Sequence, residues 1–111
     1  MILYAFSLIG CNSSSKNPYV EVITGNDTTM IDSTFVARIY LRNFEIGDVH
    51  PVAFTFDLDN SKLHMPYEEG SWIYRASHSS EGTKVFVGFI EYDSAGYNRI
   101  IPFEFRYLVI D

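Results

Sequence analysis

Hydrophobic and polar residues alternate along most of this chain with a period of two. The clearest example is residues 34–42, where Phe35, Ala37, Ile39 and Leu41 fall on one side of an extended backbone. Alternation of this kind, rich in aromatic and β-branched residues, is typical of a strand that buries one face. No window of about a dozen residues shows the stripe of an amphipathic helix. The pattern therefore predicts an all-β protein.

Segments with this alternation are separated by turns that contain Gly, Pro, Asp or Asn. We predict strands at residues 19–24, 34–42, 52–58, 63–65, 71–76, 83–92 and 98–110. In the first of these Val20 and Val22 share one face, and in the third the residues expected to face the core are Val52, Phe54, Phe56 and Leu58. In the last, the expected core face consists of Ile101, Phe103, Phe105, Tyr107 and Val109. The last two strands are joined by residues 93–96, whose glycine suits a hairpin turn. About seven short strands predict an immunoglobulin-like antiparallel β-sandwich.

The first ten residues are apolar and uncharged, and they end in Gly10-Cys11 before a polar run. This arrangement resembles a bacterial lipobox, in which a small residue precedes a cysteine whose thiol takes up a diacylglycerol. We therefore predict a lipoprotein signal peptide at 1–10, cleavage between Gly10 and Cys11, a tether at 11–17 and a sandwich domain at 18–111. Because no Lys or Arg precedes the apolar stretch, which is also short, we expect this leader to be a truncated one.

The alternative is that residues 1–11 form a first β-strand with a buried free cysteine. In either case the apolar stretch is too short for a helix that crosses a bilayer, which needs about 20 residues. With the lipobox, the anchor is lipid, and two or three acyl chains hold a protein firmly on a membrane. We expect a membrane-anchored lipoprotein of the cell envelope, at the outer membrane and facing the periplasm.

Composition narrows the classes of partner. The 111 residues include 8 Lys and Arg against 14 Asp and Glu, a net charge of −6. Nucleic acid is not an expected partner, because phosphate binding needs clustered basic residues. The single cysteine excludes an intramolecular disulfide. After the leader, the remaining chain has the size of one ordinary domain.

Glycines and aromatic residues in the last third carry a family resemblance. The residues involved are Gly82, Gly88, Ile90, Gly96, Pro102-Phe103, Tyr107 and Val109, together with the strand 35–41. This pattern resembles the immunoglobulin-like periplasmic modules of the gliding-motility protein GldM and its PorM relatives in type IX secretion. The resemblance implies a sandwich fold, a periplasmic setting and contacts with other envelope proteins of a secretion or motility assembly. That family has a transmembrane helix and several modules, whereas this sequence has a lipobox and one module.

Candidate catalytic and metal-binding patterns are weak. Asp57, Asp59 and Ser61 are spaced like ligands of a calcium loop, but Lys62 stands where that loop requires Gly. An acidic turn between strands is the favoured interpretation. The three histidines, His50, His64 and His78, lack the spacing of a metal site. Nothing resembles a nucleophile elbow. We expect no enzyme, no cofactor and no metal.

Exposed tyrosines are the candidate binding surface. Tyr67, Tyr92 and Tyr97 fall on or near predicted loops, where they could grip a protein partner or stack on sugar rings. Trp72 is instead expected in the core, as is common in this architecture. Two coplanar exposed rings in a groove would favour a carbohydrate-binding module, the alternative function. An open apolar edge strand would favour protein–protein contacts, which are our first hypothesis.

Three short motifs are similar to acceptor sequences for periplasmic O-glycosylation in bacteria that possess the GldM machinery. Each has Asp, then Ser or Thr, then a small or β-branched residue, and the acceptors are Thr28, Ser33 and Ser94. All three fall in predicted loops or at strand starts, where a glycan is accessible. The sequence therefore predicts them as possible O-glycosylation positions.

Overall fold

The computed structural model describes residues 2–7, 17–47 and 49–111, and this part of the chain is built of strands and turns. The strands are β1 (Ile2–Ser7), β2 (Tyr19–Thr24), β3 (Thr28–Met30), β4 (Thr34–Arg42), β5 (Val52–Phe56), β6 (Lys62–His64), β7 (Tyr67–Glu68), β8 (Ser71–Ser77), β9 (Gly82–Ser94) and β10 (Tyr97–Ile110). The seven predicted strands are all found. The fold class predicted from the sequence, an all-β sandwich, is confirmed.

The strands form two sheets of five. The first sheet has the order β1-β2-β4-β8-β7 and the second has the order β3-β10-β9-β5-β6. All pairs are antiparallel except β3 with β10, which run parallel. The orders β2-β4-β8-β7 and β10-β9-β5 are those of the two sheets of an immunoglobulin constant-type domain. Relative to that arrangement, β1, β3 and β6 are additional strands.

The core lies between the two sheets and is filled by alternate residues of the long strands. The side chains that form it are Val20, Val22, Phe35, Ala37, Ile39, Ala53, Trp72, Ile90, Tyr92, Ile101, Phe103, Phe105, Tyr107 and Val109. The inward faces predicted for β2, β4 and β10 are therefore correct. Trp72 is also in the core, as predicted. The period-two pattern determined these faces because successive side chains of a strand point to opposite sides.

The β9–β10 hairpin forms the centre of the second sheet. Its register pairs the two strands from Tyr97 with Ser94 to Val109 with Gly82. The turn consists of Ala95 and Gly96, with φ angles of 51° and 81°. Both angles are positive, which is typical of the two-residue hairpin turn whose twist matches that of the strands.

Gly88 lies on the inner face of β9 directly opposite Phe103. A Cβ atom on Gly88 would stand 2.5 Å from the tip of the Phe103 ring and 3.1 Å from the ring of Phe86. The glycine therefore provides the space in which two aromatic rings pack. This contact gives a structural reason for one of the glycines in the family-like pattern.

The prediction of which face of β5 points into the core was wrong. Ala53 pairs with Ile90 and joins the core, so Val52, Phe54 and Phe56 lie on the outer face of the second sheet. There Phe54 is covered by its own neighbours: its ring lies 5.5 Å from that of Phe56 and 5.5 Å from that of Phe89. The Lys62 ammonium stands 4.1 Å above the Phe54 ring.

Leu58, also predicted to face inward, lies in the turn after β5 and is fully exposed. In a strand, the choice between the two faces depends on register, and one residue of slip exchanges them. Both faces of β5 carry apolar residues, so the alternation of this short segment could not decide which one is buried.

The sequence pattern did not predict β3 and β7, which have three and two residues. Segments this short carry no measurable alternation. The β1 strand, Ile2–Ser7, pairs along the whole of β2 from Ile2 opposite Thr24 to Ser7 opposite Tyr19. The alternative hypothesis placed a strand in this region. The signal-peptide interpretation concerns processing of the chain and stays a prediction.

Candidate functional site

Gly10 and Cys11, the predicted cleavage pair, lie outside the described residues, in the connection between β1 and β2. Cleavage before Cys11 would remove β1 and leave β2 as the first strand. The described core side chains run from Val20 to Val109, so all of them belong to the chain that would remain. The candidate processing point therefore separates an added edge strand from the strands that form the immunoglobulin-like arrangement.

Tyr67 belongs to a three-ring cluster at the β7–β8 hairpin. The register places it opposite Trp72, and the two ring centres are 5.0 Å apart. The His50 ring adds a third contact, 4.4 Å from Tyr67, with its Nδ1 atom 2.7 Å from the Pro51 carbonyl oxygen. Tyr67 is 39% exposed, as its predicted place near a loop requires.

The exposure predicted for Tyr92 was wrong. This residue is 3% exposed, because it lies on the inner face of β9 two residues after Ile90. The ring of Phe44 packs edge-on against it at 5.1 Å. Burial raises the pKa of the Tyr92 hydroxyl, and the Arg99 charge opposes part of this rise. Extending the β9 alternation by one step would have placed Tyr92 inside.

Tyr97 is exposed, as predicted, and follows the β9–β10 turn. The residue is 67% exposed, and the Arg99 guanidinium carbon lies 5.9 Å from the centre of its ring. With Tyr92 buried, the proposed tyrosine surface is reduced to Tyr67 and Tyr97. Because Tyr92 lies in the core, the three tyrosines do not form one exposed surface.

The ring geometry does not favour sugar stacking. Tyr67 meets His50 at an interplanar angle of 78° and meets Trp72 at 66°, so these rings form no flat platform. On the outer face of the second sheet Phe54 and Phe89 are closer to coplanar, at 24°. Phe54, however, is buried beneath its neighbours. The coplanar exposed pair that would indicate a carbohydrate site is absent among these described rings.

The three candidate glycosylation positions differ in environment. Ser33 is exposed in the turn before β4. Thr28 begins β3, is half-buried, and its hydroxyl donates to the Asp27 carboxylate at 3.3 Å. Ser94 ends β9 and is half-buried. Ser33 is therefore the most accessible of the three, and glycosylation of all three stays a prediction.

The acidic turn between β5 and β6 is held by its own hydrogen bonds. One carboxylate oxygen of Asp57 accepts from the backbone N–H groups of Asp59, at 3.0 Å, and Ser61, at 3.1 Å. Asp59 accepts from the Ser61 N–H at 3.0 Å. Hydrogen bonding with Asp57 and Ser61 lowers the pKa of Asp59. The described residues contain no group of three or more His, Cys, Asp or Glu side chains arranged to hold a metal ion.

A part-buried hydrogen-bond chain is centred on the hydroxyl of Tyr107. The Tyr107 hydroxyl lies 2.7 Å from that of Tyr74 and also bonds to Nε2 of His78. The Phe35 ring stacks on Tyr107 with centres 3.8 Å apart. Burial raises the pKa of Tyr107, and hydrogen bonding to Tyr74 adds to this rise. The sequence contained no indication of this chain, because its members come from two segments about 30 residues apart.

The groups with shifted pKa values line neither of two surface clefts. One cleft, of about 290 Å³, is lined by residues that include Leu63, Met65 and Phe86. A second, of about 430 Å³, lies along the outer side of β2 and β4 and includes Ile23 and Arg38. Tyr92, Tyr107 and Asp59 line neither cleft, whereas Tyr74, whose hydroxyl is bonded to that of Tyr107, lines the first.

The sheet edges differ in length. Among the described strands, three of the four edges are formed by β7, β3 and β6, which have two, three and three residues. The fourth edge is β1, which has six residues and covers the six residues of β2. Short edge strands offer few unpaired backbone groups to another chain, whereas a long edge is a template for strand addition.

In β2, the strand paired with β1, buried and half-buried residues alternate. Val20, Val22 and Thr24 of β2 are 0%, 0% and 1% exposed. On its outer face, the Glu21 carboxylate forms an ion pair with the Arg42 guanidinium, at 2.7 Å. Ile23, next on that face, is opposite Arg38 of β4. The β1–β2 edge is thus the longest described edge, and its inner side chains belong to the core.

Comparisons of the chain with protein-family models, with curated proteins and with solved structures find no match. Among the described residues, no helix has the length and apolar character needed to cross a bilayer. The class of protein is therefore defined by its fold, a small all-β sandwich with immunoglobulin-like strand order.

Proposed function

We propose that this chain is a lipid-anchored protein of the cell envelope whose β-sandwich makes protein–protein contacts. The observation that carries the proposal is the position of Cys11. It ends an uncharged apolar leader and precedes the first strand of the immunoglobulin-like arrangement, so a lipid on Cys11 would hold that arrangement by a short polar tether.

Protein contact is favoured over sugar binding by two features of the described surface. The exposed Tyr67 ring stands at 78° to His50 and at 66° to the buried Trp72, so it forms no flat platform with either. The β1–β2 edge, in contrast, is long enough for strand addition, which requires backbone hydrogen bonds and no pocket. An outer-membrane position facing the periplasm, and membership of a secretion or motility assembly, are supported only by the lipobox and the GldM-like pattern.

The proposal is tested on the protein isolated from membranes of the cells that produce it. Mass spectrometry is expected to find a chain that begins at Cys11 and carries acyl groups. The Cys11→Ser variant is expected to keep its leader and to lose the lipid, while the matched Ser13→Ala variant is processed normally. An intact chain with an unmodified Cys11 thiol in the membrane fraction would overturn the lipid anchor.

The protein-contact part is tested separately by chemical cross-linking in intact envelopes, followed by purification of the tethered protein. Recovery of defined cross-linked species, including a species of twice the mass, supports the proposal. Binding to immobilised glycans that Tyr97→Ala or Tyr67→Ala abolishes, with no protein cross-links, would instead favour the carbohydrate-binding alternative.

A further inference from the structure

Removal of the leader would convert β2 into the longest edge strand of the domain. The other edges would remain the two- and three-residue strands β7, β3 and β6. Antiparallel pairing along β2 is already present in the structure, where β1 supplies the partner. Without β1, the edge-facing backbone groups of β2 and the margin of the core beside Val20 and Val22 lose that partner.

We propose that processed copies of this chain pair with each other through β2, antiparallel and about a two-fold axis at Val22, to form one continuous sheet across two domains. This inference rests on the proposed removal of the leader. It names the partner as a second copy of the chain and the contact as the edge that β1 occupies.

The position of the axis follows from the facing of the side chains. In an antiparallel pair, directly opposite residues lie on the same face, so a two-fold axis must pass through a residue position rather than between two. An axis at Val22 sets it against its own copy and sets Val20 against Thr24, all of them buried residues of the inner face. On the outer face it sets Glu21 against Ile23.

An axis at Glu21 would place two carboxylates directly opposite each other, which is destabilising. The axis at Val22 avoids this, and the Arg42 guanidinium, 2.7 Å from Glu21, already compensates that charge. The β2 edge is therefore self-complementary in the register centred on Val22. Closed pairs of this kind are the commonest form of self-association.

A shared membrane is compatible with the two-fold pair. Six residues of strand extend about 20 Å, so the starts of two antiparallel β2 strands lie at opposite ends of the pair. The segment from Cys11 to Pro18 can span up to about 24 Å when extended. Both lipid anchors can therefore reach one bilayer that lies parallel to the paired strands.

The test opens the edge without relying on cellular processing. It uses the full chain with Cys11→Ser, which prevents disulfide artefacts, and with Tyr4→Pro and Ala5→Pro. Consecutive N–H groups of a strand point to opposite sides, so one of the two prolines removes a hydrogen bond to β2. Light scattering after size-exclusion chromatography is expected to give a dimer for this variant and a monomer for the Cys11→Ser parent.

Two substitutions at Ile23 then test the register. Ile23→Glu places a carboxylate opposite Glu21 of the other copy and should weaken the dimer by roughly tenfold, because the contact occurs twice. Ile23→Lys places an ammonium there and should leave the dimer intact or tighten it. Within one copy the order is reversed, since Ile23 is opposite Arg38. A general loss of stability would therefore not reproduce the expected difference.

A double-proline chain that is folded by circular dichroism and remains monomeric would overturn the pairing, whatever the fate of Cys11. If that chain is unfolded, disulfide trapping in the Cys11→Ser parent decides, because a disulfide accumulates each time β1 opens and two copies meet through β2. Val22→Cys is expected to form a dimer in a glutathione redox buffer and Glu21→Cys is not, because directly opposite residues have the spacing of a disulfide. A Val22→Cys chain that stays monomeric although its β1 and β2 amides exchange with solvent would likewise overturn the pairing.

The two proposals can fail separately. Dimers of the double-proline chain together with an unprocessed Cys11 in cells would leave the edge pairing intact and overturn the lipid anchor. An acylated Cys11 together with monomers in the light-scattering and trapping experiments would do the reverse.

Discussion

The β9–β10 hairpin and the β1–β2 pair are both antiparallel, but their surroundings differ. The first joins strands of 13 and 14 residues by a two-residue turn and has neighbours on both sides, β5 and β3. The second joins strands of six residues by a long connection and lies at the edge of its sheet. Closing a longer loop costs more entropy, and an edge strand is held from one side only. The comparison indicates that β1 can leave the fold at a far lower cost than β9 or β10.

The largest effect is expected from the centre of the hairpin. Phe103 is 2% exposed and packs over Gly88 and against Phe86. Phe103→Ala should lower the free energy of unfolding by about 3–5 kcal/mol, because it leaves a cavity in the core. Urea denaturation measures the loss. Glu104→Ala, on the outer face of the same strand, should change it by less than about 0.5 kcal/mol. Similar losses of unfolding free energy for both variants would contradict the assignment of Phe103 to the inner face and Glu104 to the outer face of β10.

Proline substitutions in the two strand pairs, β9–β10 and β1–β2, allow their stabilities to be compared directly. Glu91 on β9 is paired with Ile100 on one side and with Val52 on the other. Its N–H therefore points to a neighbouring strand in either case, and Glu91→Pro should cost about 3 kcal/mol or more. The Tyr4→Pro and Ala5→Pro double variant should cost only about 1 kcal/mol, the net value of one hydrogen bond at an edge. Hydrogen exchange is expected to show loss of protection throughout the domain for Glu91→Pro, but only along β1 for the double variant, in which β2 remains paired with β4 and with a second copy. Equal global losses would contradict the comparison.

The Tyr107 hydroxyl on β10 is expected to make a smaller contribution to the free energy of unfolding. Tyr107→Phe leaves the Tyr74 hydroxyl and His78 without this partner and should cost about 1–3 kcal/mol at neutral pH. Since burial raises the pKa of Tyr107 in the folded state, the neutral phenol contributes stability below pH 10 that is lost as the pH rises above that value.

Tyr107→Phe should therefore show a smaller decline in stability between about pH 10 and pH 12 than the parent. Some decline remains in the variant, because burial also raises the pKa of Tyr92. Denaturation curves measured across this pH range provide the comparison. Parallel declines in the two proteins would indicate that Tyr107 titrates in the folded state as it does in the unfolded chain.

The smallest effect is expected at the hairpin turn. Ala95 has a φ of 51°, a conformation in which Asn is far more common than Ala. Ala95→Asn creates the Asn-Gly pair preferred in this turn and should stabilise the protein by about 0.5–1 kcal/mol. Ala95→Val, which tolerates this φ poorly, should have the opposite sign. Thermal unfolding measures both. A stabilising valine would argue against the observed turn.

Local pattern predicted most of the strands and failed at identifiable places. The alternation of β4 and β10 runs over nine and fourteen residues, which was enough to place every core residue of those strands. β5 has only five residues, with apolar side chains on both faces, so its sequence did not determine which face is buried. The pairing of Ala53 with Ile90 in the structure shows that the Ala53 face is the buried one. Tyr92 was placed outside because the strand was expected to end there, whereas β9 continues to Ser94. Short segments leave register undecided, because one residue of slip exchanges the two faces.

In the candidate site, too, local features could be predicted from the sequence and long-range features could not. The lipobox at Cys11 and the leader before it are predictions that could be made from sequence alone, since such a motif is a contiguous pattern. The long β1–β2 edge and the short edges elsewhere became visible only once the order of strands in each sheet was known. The perpendicular arrangement of Tyr67 and His50 also depends on contacts between distant segments.

The sequence by itself determined the all-β class, the two-residue period of each long strand and the position of the cysteine before the first immunoglobulin-like strand. These properties depend on neighbouring residues, which share one backbone geometry. Only the tertiary structure decided which face of β5 is buried, that Tyr92, Tyr107 and Trp72 share one core, and that β1 covers the longest edge. Those outcomes depend on pairing between residues far apart in the chain, whose register is set by the packing of the two sheets together.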